Sequence, residues 1–324
     1  MSAKKGKAVL VTGGTGTFGK AMIRRFLATK GISKVVVLSR DEYKQSEMQR
    51  EFNDPRLRFL LGDVRNRLRL VRAFNHIDIV IHAAALKQVP ALEYNPAEAV
   101  DTNIEGTRNV IEAALECDVE KVLLISTDKA VQPINLYGAT KMCAERLAIA
   151  GNVYRGAHKR TRLSVIRYGN VLGSRGSIME LIEKKRASGV LPLTDERMTR
   201  FWIHIDTVTG AVIEALRIMG SGEIFVPKMH AAKVKDLMKA VAPECKLKVV
   251  GVRPGEKLHE TLITEHEALR TRDAGKLFVI EPEFIEWSRS AMKKYPRIKA
   301  GAIYSSDNPK YLLPAKKILK ELKL

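Results

Sequence analysis

Short apolar runs rich in β-branched residues alternate with amphipathic stretches along the first half of the chain. The runs occupy residues 8–12, 34–39, 56–61, 77–82, 121–126 and 163–167, and helical patterns occupy residues 20–30, 46–52, 68–75, 96–117 and 135–154. This alternation predicts an α/β fold, a doubly wound parallel sheet of the Rossmann type with helices packed on it. Such sheets bind ligands beyond the carboxyl ends of their strands, so the residues that follow each run are the candidates for a site.

The first run leads into a glycine-rich turn. Gly13, Gly16 and Gly19 suit a tight turn, close approach of the backbone to a pyrophosphate, and close packing of a helix on a strand. Their spacing, G-x-x-G-x-x-G, departs from the G-x-G-x-x-G of dehydrogenases in general, and a plain glycine-rich turn is the alternative interpretation. No Gly-Lys-Ser/Thr follows, so the turn is not a Walker loop. The predicted cofactor contacts here are Gly13, Thr15, Gly16, Thr17, Phe18 and Gly19.

The residues after the second run bear on the choice of cofactor. Ser39 and Arg40 stand where an acidic residue usually holds the ribose of NAD, and a guanidinium suits the 2′-phosphate of NADP. NADP is therefore predicted, while Asp41 leaves NAD as the alternative and a solvated helix start is the other interpretation of Arg40 and Lys44. Asp63 follows the third run and is placed to accept a hydrogen bond from adenine. The neighbouring predicted contacts are Val64, Ala83, Ala84 and Ala85.

The fifth run leads into the residues that carry most of the predicted chemistry. Thr127, Asp128 and Lys129 emerge where that buried strand ends, and Tyr137 and Lys141, four residues apart, share one face of the next helix. An ammonium beside a partly desolvated phenol lowers the pKa of the phenol, which makes the pair a candidate base for a hydroxyl proton. Alone, such a pair is weak evidence, because most pairs at this spacing are neighbours on a helix surface.

Composition narrows the classes of function. The net charge of +20, from 56 Lys and Arg against 36 Asp and Glu, offers a nucleic-acid binder as one alternative. The basic residues are spread along the chain without interleaved aromatics or a nucleic-acid motif, so a solvated surface is preferred, although the reason for the charge stays open. No run approaches the roughly 20 apolar residues of a membrane helix, and no signal-peptide core is present, which predicts a cytoplasmic protein without a membrane partner. Three scattered cysteines have no metal-ligand spacing, so no metal is predicted.

Several segments together resemble the extended short-chain dehydrogenase/reductase family. Within it, the chain is most similar to the inverting UDP-N-acetylglucosamine 4,6-dehydratases that begin pseudaminic acid synthesis. The resemblance implies an NADP-binding Rossmann domain with the catalytic residues over residues 1–170. It also implies a smaller, mainly substrate-binding lobe over residues 171–324, interleaved with the end of the sheet, and a homo-oligomer, dimer or hexamer. The segments that carry it are residues 39–48, 82–90, 126–141, 167–177, 197–202 and 253–260.

The resemblance also implies contacts and roles. Further cofactor contacts would be Asn103, Ser126, Tyr137, Lys141 and Val171. UDP-N-acetylglucosamine would be held by Lys87, Asn170, Arg175, Gly176, Ser177, Ile178, Met179, Thr194, Arg197, Arg200, Arg253 and Glu256.

In the implied mechanism, Tyr137 with Lys141 removes the carbon-4 hydroxyl proton while NADP takes the hydride, and Thr127 holds the carbon-4 oxygen. Lys129 then removes the carbon-5 proton and Asp128 protonates the departing carbon-6 hydroxyl, with hydride returning to carbon 6. This requires a neutral Lys129, and hence a lowered pKa. The product would be UDP-2-acetamido-2,6-dideoxy-β-L-arabino-hex-4-ulose.

Other functions stay open at this stage. Retaining dehydratases carry Asp-Glu where this chain has Asp128 and Lys129, and 4-epimerases generally lack this acid/base pair. Capsule-type inverting dehydratases tend to have Met at the position of Tyr137. An NADP-sensing regulator on the same fold usually loses the tyrosine or the lysine, and both are present here.

Overall fold

A nine-stranded sheet forms the centre of the molecule. The computed structural model describes residues 6–154, 160–173, 177–284 and 292–321. The strands of these residues are β1 (Lys7–Thr12), β2 (Ile32–Ser39), β3 (Leu57–Leu61), β4 (Ile79–His82), β5 (Lys121–Thr127), β6 (Arg162–Tyr168), β7 (Asn170–Val171), β8 (Val190–Leu193), β9 (Thr199–Ile203), β10 (Ile224–Pro227), β11 (His230–Lys233), β12 (Lys246–Val249), β13 (Thr261–Ile263), β14 (Thr271–Asp273), β15 (Leu277–Ile280) and β16 (Tyr304–Ser305).

The large sheet has the order β14–β15–β10–β6–β5–β4–β1–β2–β3. Neighbouring strands from β10 to β3 run parallel, and β15 and β14 extend the sheet with antiparallel pairing. Residues Val9, Leu10 and Val11 of β1 are fully buried at the middle of the sheet. Strands buried on both faces need continuous apolar runs, which is why these segments could be recognised in the sequence. The predicted doubly wound α/β class is confirmed.

Helices connect the strands. They are α1 (Thr17–Leu27), α2 (Glu42–Phe52), α3 (Arg67–Phe74), α4 (Val89–Tyr94), α5 (Pro96–Ala99), α6 (Gly106–Glu116), α7 (Leu136–Ala150), α8 (Ile178–Arg186), α9 (Ile205–Ile218), α10 (Val234–Val241), α11 (Glu265–Ala268) and α12 (Ala315–Glu321). Side chains cap the starts of several of them; for example, Asp41 accepts a hydrogen bond from Lys44 N at α2, and Asn135 accepts one from Gly138 N at α7. Among the described residues, no helix is both long and apolar enough to cross a bilayer.

The helix predicted over residues 96–117 is interrupted. A π-helical turn, Val100–Glu105, separates α5 from α6 and turns Thr102 and Asn103 into the interior. Wide turns of this type occur where side chains compete for the regular backbone pattern, and they are frequent near functional sites. The interruption therefore places a buried asparagine against the loop that follows β4.

A smaller lobe carries its own core. Its three-stranded sheet has the order β11–β9–β7, and β8 pairs with β12 in parallel. Leu191, Leu193, Trp202, Leu237 and Met238 are buried together there. Strands β10, β14 and β15 come from the same half of the chain yet belong to the large sheet. The division at residue 170 stays a prediction about lobes, because the sheet itself runs across it.

Candidate active site

A cleft of about 710 Å³ opens where the parallel strands of the large sheet end. It is lined by the glycine-rich turn after β1, by the residues that follow β2 to β6, and by the start of α7. All the predicted cofactor residues except Asn103 line it, as do Thr127, Asp128 and Lys129. The fold thus gathers into one cavity residues that the chain spreads over more than half its length.

The glycine-rich turn closes one end of the cleft. Gly13 has a φ of +66°, and a Cβ there would come within 2.9 Å of the backbone of Ala84. A Cβ on Gly19 would lie 2.5 Å from the carbonyl oxygen of Gly14. Gly16 is the N-cap of α1 and no side chain caps this helix, so its first backbone N–H groups are available to an anion. This bare helix start beside a glycine turn fits the pyrophosphate of a dinucleotide.

The charged residues that follow β2 line the cleft on the side of the glycine-rich turn. Asp41 is tied to α2 by its cap and by an ion pair with Lys44. Arg40 is half exposed, and its guanidinium lies 3.5 Å from Asp63, which is itself paired with Arg65 at 2.8 Å. The hydrogen bond from the Lys44 side chain lowers the pKa of Asp41. The Asp41 carboxylate is therefore already occupied by contacts within the protein. The Arg40 side chain is more exposed than those of Asp41 and Lys44.

Beneath the cleft runs a chain of buried hydrogen bonds. Thr107 donates to the carbonyl oxygen of Asn103 at 2.6 Å, so its oxygen accepts the N–H of His82 Nε2 at 3.1 Å. The other ring nitrogen, Nδ1, then accepts from Thr12 Oγ1 at 2.8 Å, and that oxygen accepts the amides of the first two residues after β4 at 3.1 and 3.2 Å. Burial lowers the pKa of His82 to about 3, so the ring is neutral. His82 is a packed strand histidine, with both ring nitrogens bonded within the protein.

Asn103 does not line the cleft. Its side-chain oxygen accepts from Leu86 N at 2.8 Å, and its amide group donates to Leu86 O at 2.9 Å and to Thr140 Oγ1 at 3.0 Å. Both N–H groups of its amide and one acceptor position of its oxygen serve the protein, and its predicted cofactor contact stays a prediction. Asn103 instead fixes the loop after β4 against α7, the helix that carries Tyr137 and Lys141.

Tyr137 and Lys141 lie at the head of α7, where Tyr137 is half-buried in the cleft and Lys141 is buried. Burial raises the pKa of Tyr137 to about 12, against the opposing charge of Lys129 and a hydrogen bond with Thr127. Lys141 donates to the carbonyl oxygen of Ile125 at 2.7 Å, and burial lowers its pKa to about 8. The expectation of a lowered pKa for the phenol is wrong for the protein alone, because desolvation of the phenolate outweighs the positive charge of Lys129 and the hydrogen bond with Thr127.

Asp128 and Lys129 form a turn of 3-10 helix directly after β5. The Lys129 ammonium lies 3.1 Å from Asp128 Oδ1 and 3.2 Å from Glu260 Oε1, and both carboxylates are buried. Burial alone would lower the pKa of Lys129, but the two carboxylates raise it well above its usual value. The expected lowering is therefore wrong: in the protein alone Lys129 is charged. Asp128 Oδ2 is buried and has no hydrogen-bond partner among the described residues.

The predicted substrate residues are divided between the cleft and its surroundings. Lys87, Asn170, Ser177 and Ile178 line the cleft, and burial lowers the pKa of Lys87. Arg175 and Gly176 lie outside the described residues. The predicted residues that do not line it are Met179, Thr194, Arg197, Arg200, Arg253 and Glu256.

Two of the predicted arginines have partners within the protein. Arg197 is exposed and pairs with Asp195 at 2.9 Å. Arg200 is buried, and its guanidinium donates to the carbonyl oxygens of Thr199, Leu258 and Lys257 at 2.8 to 3.0 Å. Arg200 therefore holds together the backbone around Glu260 in this structure, and its role toward a phosphate stays a prediction.

Comparison with known proteins identifies the family of this chain. Residues 9–282 match the family described as polysaccharide biosynthesis protein. The chain belongs to this family. A relative named UDP-N-acetylglucosamine 4,6-dehydratase (inverting), from Campylobacter jejuni subsp. jejuni serotype O:2, is 45% identical over 93% of both chains. A protein named UDP-glucose 4-epimerase from Rickettsia bellii is 38% identical over 94% of this chain and 92% of its own. The solved structure of Pen from Bacillus thuringiensis superposes with a TM-score of 0.90, at 37% identity and 98% coverage of each chain.

This polysaccharide biosynthesis protein has site residues that the sequence did not reveal. Glu260 closes a charge cluster around Lys129, and Trp202 and Tyr168 line the cleft. The buried Trp202 Nε1 and the side-chain oxygens of Asn170 and Ser177 have no hydrogen-bond partner, which fits a polar ligand. Residues 197–202 and 253–260 carried the family resemblance, so the signal was present, but nothing in the sequence paired Glu260 with Lys129.

Proposed function

We propose that this protein is a nucleotide-sugar 4,6-dehydratase that converts UDP-N-acetylglucosamine to the 4-keto-6-deoxy sugar with inversion at carbon 5. The observation that carries the proposal is the convergence of Thr127, Asp128, Lys129, Tyr137 and Lys141 on one cleft. A relative that is 45% identical and bears the name of this activity supports it.

The proposed oxidation uses the head of α7. Tyr137 takes the proton of the carbon-4 hydroxyl, and Lys141 supports the phenolate from the next turn of the same helix. Thr127 is hydrogen-bonded to Tyr137 and is the residue proposed to hold the carbon-4 oxygen. A bound nicotinamide dinucleotide supplies the hydride acceptor and returns the hydride later, so no external reductant is consumed. The predicted cofactor is NADP, because Arg40 presents an accessible guanidinium at the edge where a 2′-phosphate would lie.

The proposed elimination uses the turn after β5. Once carbon 4 is a ketone, the proton on carbon 5 becomes acidic, and loss of the carbon-6 hydroxyl needs one group to accept a proton and another to donate one. Asp128 and Lys129 are adjacent and hydrogen-bonded to each other at 3.1 Å, with Asp128 buried and Lys129 half-buried. Such a pair exchanges a proton internally and is suited to both tasks.

The proposed substrate contacts lie across the cleft from the glycine-rich turn. Lys87, Asn170 and Ser177 line this side, and Trp202 adds an unpaired N–H donor. A sugar with hydroxyl and acetamido groups supplies the missing partners for these atoms. A place at the first step of pseudaminic acid synthesis, a cytoplasmic location and a homo-oligomeric state all remain part of the proposal.

A nucleotide-sugar 4-epimerase is the second candidate, because a protein of that name is 38% identical to this chain. An epimerase needs the oxidation half of the site but no elimination. The buried Asp128–Lys129 pair has no task in such a reaction, which favours the dehydratase.

The test is incubation with UDP-N-acetylglucosamine and no added reductant, followed by mass spectrometry. A dehydratase yields a product lighter by one water, whereas an epimerase yields an isomer of unchanged mass. In deuterium oxide the product should carry deuterium at carbon 5 with L configuration at early times, while hydrogen moved from carbon 4 to carbon 6 remains protium. A product that retains the D configuration at carbon 5 contradicts the inverting assignment, and an isomer of unchanged mass contradicts the dehydratase.

A further inference from the structure

A tight turn over residues 253–256, here called the Pro-Gly turn, lies beside the start of α7. Glu256 N donates to Arg253 O at 3.1 Å, which closes four residues with Pro254 second and Gly255 third. Gly255 has a φ of +76°, and a type II turn requires such a positive φ at its third residue. The turn presents the carbonyl oxygen of Gly255 to the first residues of α7.

Asn135 uses both ends of its side-chain amide at this place. Its Oδ1 accepts from Gly138 N at 2.8 Å and so caps α7, while its Nδ2 donates to Gly255 O at 2.7 Å. Only this orientation of the amide serves both neighbours, because a backbone N–H needs an acceptor and a carbonyl oxygen needs a donor. One side chain thus joins the helix that carries Tyr137 and Lys141 to a turn 120 residues further along the chain.

Two further contacts fix the residues that follow the Pro-Gly turn. Lys257 Nζ donates to Val131 O at 2.5 Å, and Lys129 Nζ lies 3.2 Å from Glu260 Oε1. Together with the Asn135 bond, these contacts join two segments that run past each other in opposite directions. The turn after β5 and the start of α7 are therefore both fixed to the same distant segment.

The Pro-Gly turn also carries two side chains that are suited to a ligand. Arg253 is exposed, and a guanidinium matches the oxygens of a phosphate. Glu256 Oε2 is buried without a hydrogen-bond partner among the described residues, so a hydroxyl group of a ligand would satisfy it. A Cβ on Gly255, between these two, would lie 3.6 Å from Val89, the residue after the cleft residue Gln88. A nucleotide, with its phosphates and ribose hydroxyls, has the groups that this end of the cleft lacks.

We propose that Asn135 is a positioning residue that holds the Pro-Gly turn in place for the nucleotide half of the substrate. The proposal rests on the proposed nucleotide-sugar function, since it takes a nucleotide to lie against Arg253 and Glu256. Asn135 acts through the turn and not by contact with the substrate. Its amide N–H group sets the position of Gly255 while its oxygen caps α7, so one side chain fixes the nucleotide-binding turn relative to Tyr137.

Asn135→Asp separates the two functions of the amide. A carboxylate still caps the helix by accepting from Gly138 N, but it has no donor for Gly255 O and places a second acceptor against it. Binding of UDP in the presence of saturating NADP, measured by calorimetry, should weaken about tenfold or more. With UDP-N-acetylglucosamine, KM should rise by a similar factor and kcat should change much less, because the lost contact serves binding and not the reacting end. Bound cofactor and melting temperature should stay near those of the wild type.

Three variants control for effects on the helix and on the turn. Asn66→Asp is the matched substitution, because Asn66 caps α3 in the same way, accepting from Arg69 N at 3.0 Å, and does not line the cleft; UDP affinity should be unchanged. Asn135→Ala removes the cap as well, and should lower the melting temperature and kcat in addition to UDP affinity. Gly255→Ala disturbs the same contact from the other side, because its Cβ would lie 3.0 Å from the Asn135 Cβ. Combined with Asn135→Asp, it should weaken UDP binding little further.

The outcomes separate this proposal from the proposed function. Equal UDP affinity in Asn135→Asp and the wild type would overturn the positioning role. Parallel losses of UDP affinity, bound cofactor and kcat would also overturn it, because they indicate a general effect on α7. A wild-type protein that binds no UDP would contradict both the positioning role and the proposed function. If Asn135→Asp weakens UDP binding but the wild type forms no dehydrated product, the positioning role stands and the proposed reaction is wrong.

Discussion

The two lysines of the site, Lys129 and Lys141, should affect the free energy of unfolding in opposite directions, and the effect of the buried Lys141 is the less expected one. Burial lowers its pKa from 10.5 to about 8, and each tenfold change in a proton affinity is worth about 1.4 kcal/mol. Holding the ammonium in the folded protein at pH 7 therefore costs about 3 kcal/mol. The hydrogen bond from Lys141 to the carbonyl oxygen of Ile125 offsets about 1 kcal/mol of this destabilisation.

Lys141→Met should therefore abolish activity yet raise the free energy of unfolding at pH 7 by about 2 kcal/mol. The sign depends on pH. Because the folded-state pKa of Lys141 is depressed, wild-type stability gains from this residue as pH rises from about 8 to 10.5, and the advantage of the variant should disappear over that window. Urea unfolding of the cofactor-free proteins, followed by circular dichroism at pH 7 and pH 10, measures both values.

Lys129→Met is the matched control, because it removes a half-buried lysine of the same cleft, whose pKa is raised because Asp128 and Glu260 outweigh the effect of burial. Its contribution to stability is fully present below pH 10.5 and is lost only as pH rises through the higher folded-state value. The variant leaves two carboxylates unpaired and should be destabilised at both pH values. If Lys141→Met is less stable than wild type at pH 7, or if its advantage does not shrink by pH 10, the desolvation argument for Lys141 is refuted.

Three further predictions concern the two ends of the cleft. Arg40→Glu should weaken binding of NADP much more than that of NAD, as measured by calorimetry, because only NADP carries the 2′-phosphate; equal losses would show that Arg40 does not read it. Gly19→Ala should abolish copurification of a dinucleotide and lower the melting temperature, since its Cβ would lie 2.5 Å from a backbone oxygen; a variant with unchanged cofactor content would contradict this. Asp128→Asn should allow oxidation but block water loss, so that a 4-keto sugar accumulates in mass spectra, and an unaltered dehydration rate would remove Asp128 from the elimination.

Local patterns were enough to predict the sheet and the cofactor end of the cleft. The strands are visible in the sequence as apolar runs. A dinucleotide-binding turn needs its glycines close together in the chain, as Gly13 and Gly19 are. The same holds for Tyr137 and Lys141, which one helix brings together. In each case neighbours in the chain are neighbours in space.

The charge state of the site could not be predicted in this way. Whether Lys129 is neutral or charged depends on Glu260, which reaches it from a distant segment, and on how completely both are removed from water. For the same reason the expected direction of the pKa of Tyr137 was wrong, since spacing shows a nearby ammonium but not the depth of burial. The π-helical turn that directs Asn103 inward could not be predicted, because it has no clear sequence signature.

The hydrogen-bond chain through Thr12, His82, Thr107 and Asn103 constrains how this protein is able to evolve. Every donor in it already has its acceptor, and the direction of each bond is set by the next. A single replacement that reverses one member, such as a donor placed where His82 Nδ1 accepts, leaves an unpaired group beneath the cleft and costs about 1–3 kcal/mol. Substitutions at these four positions are therefore expected to occur together or not at all. The residues beneath the cleft should vary less among related proteins than the residues that line it.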